Sequence, residues 1–166
     1  MFQEINHLPD GRLLEIGVGN GAHLQGYQKH AVTGIDTSAA RLEVARKNKT
    51  GNISLMEMSG EALRFADEVF DYVVLSHVIA VVDDPERLLQ EVYRVLKPQG
   101  QVIILNHFTP VNRLRHIDHA FKPVAKAFHF RSVFSLKDLP VLRKFRLQKE
   151  INAGMASYFK LLIYRK

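Results

Sequence analysis

The sequence contains no cysteine, which excludes several kinds of structure. Disulfide bonds, thiolate metal sites and cysteine nucleophiles all need this residue. No apolar run approaches the roughly 18–20 residues that a helix needs to cross a bilayer. The first residues, MFQEINHLPDG, lack the basic and apolar regions of a secretory signal peptide. These absences predict a cytoplasmic location.

Acidic residues are scarce in the second part of the chain. Residues 97–166 carry 14 Lys and Arg against 3 Asp and Glu, whereas residues 1–96 carry 9 against 14. This division predicts that one face meets an anionic partner: a membrane surface, a nucleic acid or a phosphorylated substrate. A basic surface that is merely solvated is the alternative. The length of 166 residues and the hydrophobic content of 46% predict a single domain, 1–166.

Residues 12–36 carry the most informative pattern in the chain. An apolar run ends in the letters EIGVGNG, a helix-compatible segment follows, and a second apolar run stops at Asp36. This order predicts a strand, a glycine turn, a helix and a strand with an acid at its carboxyl end. Glycine accepts positive φ and lets a ligand lie on the backbone. Because a carboxylate at the position of Asp36 can accept both ribose hydroxyls, the pattern predicts a nucleoside site.

The glycines alone leave the identity of the nucleoside open. Gly17, Gly19 and Ala22 also satisfy the G-x-G-x-x-G/A pattern of dinucleotide-binding turns. The carboxylate of Glu15 would repel a pyrophosphate, but it suits a ligand with an ammonium and a sulfonium group. S-adenosylmethionine (SAM) is such a ligand. A tight turn with a solvated acid after it is the alternative.

The rest of the chain alternates between predicted helices and strands. A helix capped by Ser38 turns Leu42, Val44 and Ala45 inward, and Asp84-Pro85-Glu86 opens another helix, which ends before Lys97-Pro98. The other predicted strands are 52–56, 70–76 and 101–106, followed by a hairpin of 145–151 and 157–164. The sequence therefore predicts an α/β, Rossmann-like fold. Its seven-stranded sheet is mostly parallel, with helices on both faces and an antiparallel C-terminal hairpin strand.

Several blocks resemble the class I SAM-dependent methyltransferases, in particular the type 11 and ubiquinone-biosynthesis-like members. The blocks are EIGVGNG, GIDTS and SGEALRFADEVFDYVVLSHVIAVVDDPERLLQEVYRVLKPQG. The resemblance implies that the glycine turn lines the methionine and ribose parts of SAM, which leaves as S-adenosylhomocysteine. It also implies that Asp36 accepts the ribose hydroxyls. The cofactor-binding residues implied in this way are Glu15, Gly17, Val18, Gly19, Asn20, Gly21, Asp36, Thr37, Ser59, Gly60, Ser76 and His77.

The chain departs from this family at its start. Family members usually carry some tens of helical residues before the glycine turn, whereas only Met1 to Gly11 precede the first predicted strand here. We therefore expect the N-terminal lid helices to be absent. The lid would then come from one of three sources: a missing N-terminal segment, another chain such as a second copy, or a surface.

A narrower resemblance lies in the segment after the fifth strand. Asn106-His107-Phe108 and Phe121-Lys122-Pro123-Val124-Ala125 are similar to bacterial phospholipid N-methyltransferases, which methylate phosphatidylethanolamine. Residues 107–130 also place apolar side chains three or four positions apart, with basic residues between them. A basic amphipathic helix of this kind can lie on anionic lipid. An apolar stripe buried in the core is the alternative.

This segment supplies the predicted substrate site. His107 is a candidate general base near neutral pH, although a structural histidine is as good an interpretation. The predicted substrate-binding residues are Asn106, His107, Arg113, His116 and Lys122, and no metal site is expected. The chain would then transfer methyl groups to the amine of phosphatidylethanolamine or its methylated forms, while peripherally bound to the inner face of the membrane.

Three alternatives remain open from the sequence. A small-molecule or quinone-type C- or O-methyltransferase would share every SAM motif. A nucleic-acid methyltransferase would also use the basic residues, but the sequence has no N-P-P-Y-like motif and few interleaved aromatic residues, so no nucleic-acid partner is expected. The third alternative is not an enzyme: a non-catalytic module that binds SAM or a partner.

Overall fold

The computed structural model describes residues 1–48, 51, 53–107, 139–152 and 159–166. Within these ranges the chain forms three α-helices, seven β-strands and two short 3-10 helices at Leu24–Gly26 and Pro140–Lys144. The helices are α1 (Phe2–Asn6), α2 (Ala39–Asn48) and α3 (Pro85–Val95). The strands are β1 (Arg12–Ile16), β2 (Ala31–Asp36), β3 (Ile53–Glu57), β4 (Phe70–Ser76), β5 (Leu96–His107), β6 (Arg146–Asn152) and β7 (Phe159–Arg165).

All seven strands belong to one sheet in the order β3-β2-β1-β4-β5-β7-β6. The pairs within β3-β2-β1-β4-β5 are parallel, whereas β7 runs antiparallel to both of its neighbours. The predicted Rossmann-like fold class and the predicted C-terminal hairpin are confirmed. Because the parallel strands end together, the ends of β1 to β5 form one carboxyl edge of the sheet.

Helix α3 begins as its sequence predicts. The side chain of Asp84 accepts a hydrogen bond from the backbone N–H of Arg87 at 3.0 Å, and Pro85 occupies the first turn, where no backbone donor is needed. Such a cap contributes about 1 kcal/mol. The helix then buries one apolar face against the sheet, formed by Leu88, Leu89, Val92 and Val95.

The core has two layers because successive side chains of a strand point to opposite faces of the sheet. Val73 and Leu75 of β4 pack in the cluster that contains α3, whereas Tyr72 and Val74 pack in the cluster with Ile5 of α1 and Leu42 of α2. Helices therefore cover both faces, as predicted.

Two local expectations are wrong. The segment after the glycine turn forms no α-helix within residues 17–30, where the structure has only the 3-10 helix Leu24–Gly26. Val44 is exposed, because Leu42 and Ala45 form the buried side of α2 and Val44 points away from it. A short helix that the sequence pattern does not predict, α1, precedes β1, and its Asn6 Nδ2 donates to Gly26 O at 2.9 Å. The absence of the lid helices stays a prediction.

The predicted insertion 107–130 lies outside the described residues except for His107, which ends β5. Its amphipathic character stays a prediction. Among the helices of the described ranges, none has the length and apolar character that a membrane span requires.

Candidate cofactor site

The glycine turn lies at the carboxyl end of β1, where it adopts backbone conformations that side chains disfavour. Gly17 has φ +80°, and a Cβ atom there would lie 2.3 Å from Val78 Cγ2. Gly19 has φ +53°, and a Cβ atom there would meet nothing within 4 Å. The backbone N–H groups of Gly17 and Val18 donate to Ile35 O at 2.8 and 3.0 Å, which ties the turn to β2. The turn is thus held on its inner side and open at Gly19.

Asp36 ends β2 and connects that strand to the turn. Its Oδ2 accepts a hydrogen bond from Gly19 N at 2.8 Å, and its Oδ1 accepts one from Ser38 N at 2.9 Å. A carboxylate has about four lone-pair sites, so two acceptor sites remain for ribose hydroxyls. Asp36 therefore has two functions that one residue can combine: it orders the turn and it presents acceptors beside it.

Glu15 carries a carboxylate inside the protein. The side chain is 0% exposed, and neither oxygen has a hydrogen-bond partner among the described residues. The nearest cationic group is the ring of His23, whose Nδ1 lies 3.7 Å from Glu15 Oε1. That interaction raises the pKa of His23, while burial acts in the opposite direction. Because a buried carboxylate without donors is costly, this position suits a ligand that brings a cation.

Aromatic side chains surround this carboxylate. The hydroxyl of Tyr27 is buried and has no hydrogen-bond partner within the described part of the chain. Burial, and secondarily the charge of Glu15, raise the pKa of Tyr27. Phe2 of α1 contacts the rings of Tyr27 and His23 edge-on, with centroids 5.2 and 6.0 Å apart. Helix α1 therefore covers the outer side of the segment that encloses Glu15.

The loop after β3 forms the next part of the carboxyl edge. Met58 N donates to Asp36 O at 3.0 Å, which holds this loop beside β2. The hydroxyl of Ser59 accepts a hydrogen bond from Glu61 N at 3.2 Å and keeps its own proton to donate. A Cβ atom on Gly60 would lie 2.7 Å from Ile16 Cγ2 and from Leu88 Cδ1, so the glycine is needed for packing.

The ends of β4 and β5 place further polar groups at the same edge. Ser76 Oγ and Asn106 Nδ2 are both buried and lack hydrogen-bond partners among the described residues. His77 has φ +59°, its N–H donates to Leu105 O at 2.8 Å, and its ring contacts Phe159 at 5.8 Å. An imidazole and a phenyl ring therefore lie at the same edge as two buried polar side chains that have no hydrogen-bond partner among the described residues. Because Ser76 lies opposite Leu105, the next residue of β5, Asn106, points to the other face of the sheet.

The structure brings most of the predicted cofactor residues to this edge, since they end β1, β2, β3 or β4 or follow them directly. Within the turn, Val18 is buried and Asn20 is exposed; Thr37 after β2 is exposed as well. His107 is the last residue of β5, where its backbone pairs with Phe159, and its function as a base stays a prediction. The predicted substrate residues Arg113, His116 and Lys122 lie outside the described residues.

Sequence reasoning missed four residues that shape the site. His23 and Tyr27 flank Glu15, Val78 packs beneath Gly17, and Phe159 contacts His77. Each contact joins residues that different elements carry, so no local pattern announces it. Residues 23–27, HLQGY, carry one local signal that this segment is not an α-helix, because two ring side chains around a glycine fit a helix poorly.

A family model described as "Methyltransferase domain" matches residues 14–104, more than half of the chain. Phosphatidylethanolamine N-methyltransferase of Cereibacter sphaeroides is 43% identical over 105 residues, which cover 59% of this chain and 51% of that protein. The ubiquinone/menaquinone biosynthesis C-methyltransferase UbiE of Geotalea daltonii is 32% identical over 150 residues, 84% of this chain and 59% of that protein. The chain spans little more than half the length of these curated relatives.

Solved structures share the fold over nearly the whole chain. A structure from Bacillus halodurans has a TM-score of 0.82 at 18% identity and covers 99% of this chain and 96% of its own. A SAM-dependent methyltransferase of Thermotoga maritima has a TM-score of 0.73 at 27% identity, over 99% of this chain and 87% of its own. Over these lengths the match extends to the edge strands β6 and β7.

The side chains at the carboxyl edge fit SAM as the cofactor. Glu15 offers an ammonium group a buried carboxylate that lacks a hydrogen-bond partner among the described residues, Asp36 keeps acceptor sites for ribose hydroxyls, and Gly19 leaves the turn open. Taken with the fold and the match over residues 14–104, this fit shows that the chain belongs to the family of methyltransferase domains that use S-adenosylmethionine.

Proposed function

We propose that this chain transfers methyl groups from SAM to the amine of phosphatidylethanolamine, or of its methylated forms, at a membrane surface. The observation that carries the cofactor part is the buried carboxylate of Glu15, which has no hydrogen-bond donor within the described ranges and stands beside an open glycine turn. The acceptor part is supported by the likeness to phosphatidylethanolamine N-methyltransferase, 43% identical over 105 residues.

When bound, SAM supplies a methyl group that its sulfonium already activates, so the protein mainly has to position the reactants. Glu15 neutralises the ammonium group, and Asp36 accepts hydrogen bonds from the ribose while it holds Gly19. Burial strengthens both contacts, because Glu15 is fully buried and Asp36 is 7% exposed. These two carboxylates would hold the ammonium group and the ribose of the cofactor.

The acceptor nitrogen is an ammonium group near neutral pH, so it has to lose a proton before it attacks the methyl group. Ser76 Oγ and Asn106 Nδ2 provide a hydroxyl and an amide donor at the ends of β4 and β5, on opposite faces of the sheet, and the rings of His77 and Phe159 contact each other at the same edge. Aromatic faces attract ammonium groups, including methylated ones. We propose that this ring pair orients the ammonium group, and that His107 or water accepts its proton, which frees the nitrogen lone pair for attack.

The membrane part of the proposal is supported by charge. The second part of the chain, residues 97–166, carries a net charge of +11, with 14 Lys and Arg against 3 Asp and Glu. Basic residues near an anionic lipid surface each contribute about 1 kcal/mol of attraction. We propose that Arg113, His116 and Lys122 bind the lipid phosphate while peripheral attachment brings the headgroup to the edge of the sheet.

A quinone-type C-methyltransferase is the second candidate. It is favoured by the likeness to UbiE, which extends over 150 residues and 84% of the chain at 32% identity. The two candidates share the cofactor site and differ in the acceptor, a lipid amine or a ring carbon. The choice between them therefore depends on the acceptor alone.

The test is methyl transfer from deuterium-labelled SAM, read by mass spectrometry. The acceptors are vesicles with phosphatidylethanolamine, vesicles of phosphatidylcholine alone, and a demethylated quinol in the same lipid. We expect labelled methyl groups on phosphatidylethanolamine and none on phosphatidylcholine, whose nitrogen is fully substituted. Label on the quinol alone would establish the second candidate, and label on no acceptor would refute both.

A matched pair of variants tests the acceptor side. Asn106→Ala removes the unpartnered amide, and Asn152→Ala removes an exposed amide on the same rung of the sheet, because both residues lie opposite Lys160. We expect Asn106→Ala to raise KM for the lipid without changing SAM affinity, and Asn152→Ala to change neither. Equal effects of the two substitutions would contradict the assigned function of Asn106.

A further inference from the structure

A cavity of about 280 Å³ with a strongly basic lining lies at the amino edge of the sheet. Four elements line it: the 3-10 helix Pro140–Lys144, the start of β6, the end of β7, and β5 at Gln99. From Gln101 to His107, β5 takes six residue steps of about 3.3 Å, which puts this edge about 20 Å from the cofactor site. The cations among its described lining residues are Arg143, Lys144, Arg146, Arg165 and Lys166.

The sheet itself brings two of these cations together. Arg146 of β6 lies directly opposite Arg165 of β7, and like charges opposite each other destabilise a strand pair. The Nε of Arg165 is shielded from solvent and has no hydrogen-bond partner in the described part of the chain. A pair that repels and keeps an unused buried donor is unfavourable unless a negative group joins it.

One aromatic ring holds two further cations at the same cavity. Lys166 Nζ lies 4.7 Å and Lys144 Nζ lies 5.5 Å from the centre of the Tyr93 ring. Glu68 forms an ion pair with one of these cations: its Oε1 lies 3.3 Å from Lys166 Nζ, and its side chain is half exposed. Among the described residues, the three arginines have no ion-pair partner. Within the described ranges, these five cations thus have one carboxylate, that of Glu68, within ion-pair distance.

We propose that this cavity binds a phosphate group. Guanidinium groups match phosphate oxygens with paired hydrogen bonds, and three of the five cations are arginines. The volume lies just below the roughly 300–1,000 Å³ of sites for drug-sized ligands, so a phosphate group has room to enter. The phosphate belongs either to a free ion or to an anionic lipid headgroup. The site is independent of the proposed methyl transfer.

The experiment measures phosphate binding by the full chain at constant ionic strength, with chloride replaced by phosphate. Arg146→Gln with Arg165→Gln removes the facing pair, whereas Arg41→Gln with Lys47→Gln makes the same change in net charge on the exposed side of α2. We expect calorimetry to show about tenfold or greater loss of phosphate affinity in the first variant and none in the second. Without phosphate, the first variant should melt no lower than the parent, because the repulsion is gone.

Vesicles of phosphatidylglycerol and of phosphatidylcholine separate the two sources of phosphate. Weaker binding of the first variant to free phosphate assigns the ion, and weaker binding to phosphatidylglycerol alone assigns the lipid headgroup. Should the first variant not fold, Arg143→Gln, exposed and outside the sheet, gives the same test with a smaller loss. The proposal is overturned if phosphate behaves as chloride does and phosphatidylglycerol binding is unchanged, or if both double variants lose affinity equally. SAM affinity measured on the same samples should stay at the parent value.

Discussion

Replacing Glu15 by glutamine removes one buried negative charge and keeps the side-chain volume. If Glu15 binds the ammonium group of SAM, the substitution replaces a buried, charge-paired hydrogen bond by one to a neutral amide oxygen, which we expect to cost about 1.5–3 kcal/mol. Since about 1.4 kcal/mol corresponds to a factor of ten, the Kd for SAM should rise about 10- to 150-fold. Isothermal titration calorimetry measures this change directly.

Methylthioadenosine provides the matched ligand, because it keeps the adenine and the ribose but lacks the amino-acid part of SAM. Glu15→Gln should therefore leave its affinity unchanged. The reasoning is refuted if the variant binds SAM as the parent does, or if it loses the same factor for both ligands. The second result would mean that Glu15 shapes the turn and makes no contact with the ammonium group.

The same substitution should alter the pH dependence of stability. The carboxylate of Glu15 raises the pKa of His23 in the folded state, so protonated His23 stabilises the fold. This contribution is fully present below the unfolded value of about 6.5 and is lost as the pH rises through the raised pKa. In Glu15→Gln, that decline in the free energy of unfolding should disappear, which urea denaturation at a series of pH values measures. An unchanged decline would assign it to other histidines.

Two further substitutions test the turn and its anchor. Asp36→Ala removes the carboxylate that accepts hydrogen bonds from Gly19 N and Ser38 N and that offers acceptors to the ribose. We expect a loss of about 2–3 kcal/mol in the free energy of unfolding and equally weaker binding of SAM and of methylthioadenosine. Calorimetric affinities like those of the parent would contradict this. Gly17→Ala puts a side chain on a residue with φ +80° and brings its Cβ atom into a clash with Val78, so urea denaturation should show about 2–3 kcal/mol of destabilisation. Gly51→Ala is the control, because Gly51 has φ +74° but open space around it, and we expect it to cost about 1 kcal/mol. Equal costs at the two glycines would show that the contact with Val78 has no effect.

Local sequence signals predicted those elements whose determinants lie close together in the chain. The cap at Asp84 and the proline after it fix where α3 begins, and the apolar runs of β4 and β5 predict buried parallel strands. The last two runs are joined by a connection too short for a crossover helix, so an antiparallel hairpin follows from chain length alone. The glycines and Asp36 give the position of the site for the same reason.

The errors fall where distant residues decide. The segment after the glycine turn has no α-helix because Phe2 packs on Gly26 and against the rings of His23 and Tyr27. A Cβ atom on Gly26 would lie 2.5 Å from the Phe2 ring, so this contact needs a glycine, and glycine disfavours a helix. Val44 is exposed because the stripe of α2 that faces the sheet is set by Leu42 and Ala45.

By itself, the sequence determined the order of the strands, the helices α2 and α3, the glycine turn and the acid at the end of β2, since each depends on residue type and short spacing. Only the tertiary structure decided that Glu15 is fully buried without a donor, that Asp36 holds Gly19, and that Arg146 faces Arg165. Burial and charge pairing depend on groups that are remote along the chain and meet only when the sheet is assembled. The chemistry of both proposed sites therefore depends on contacts between residues that are distant in the sequence.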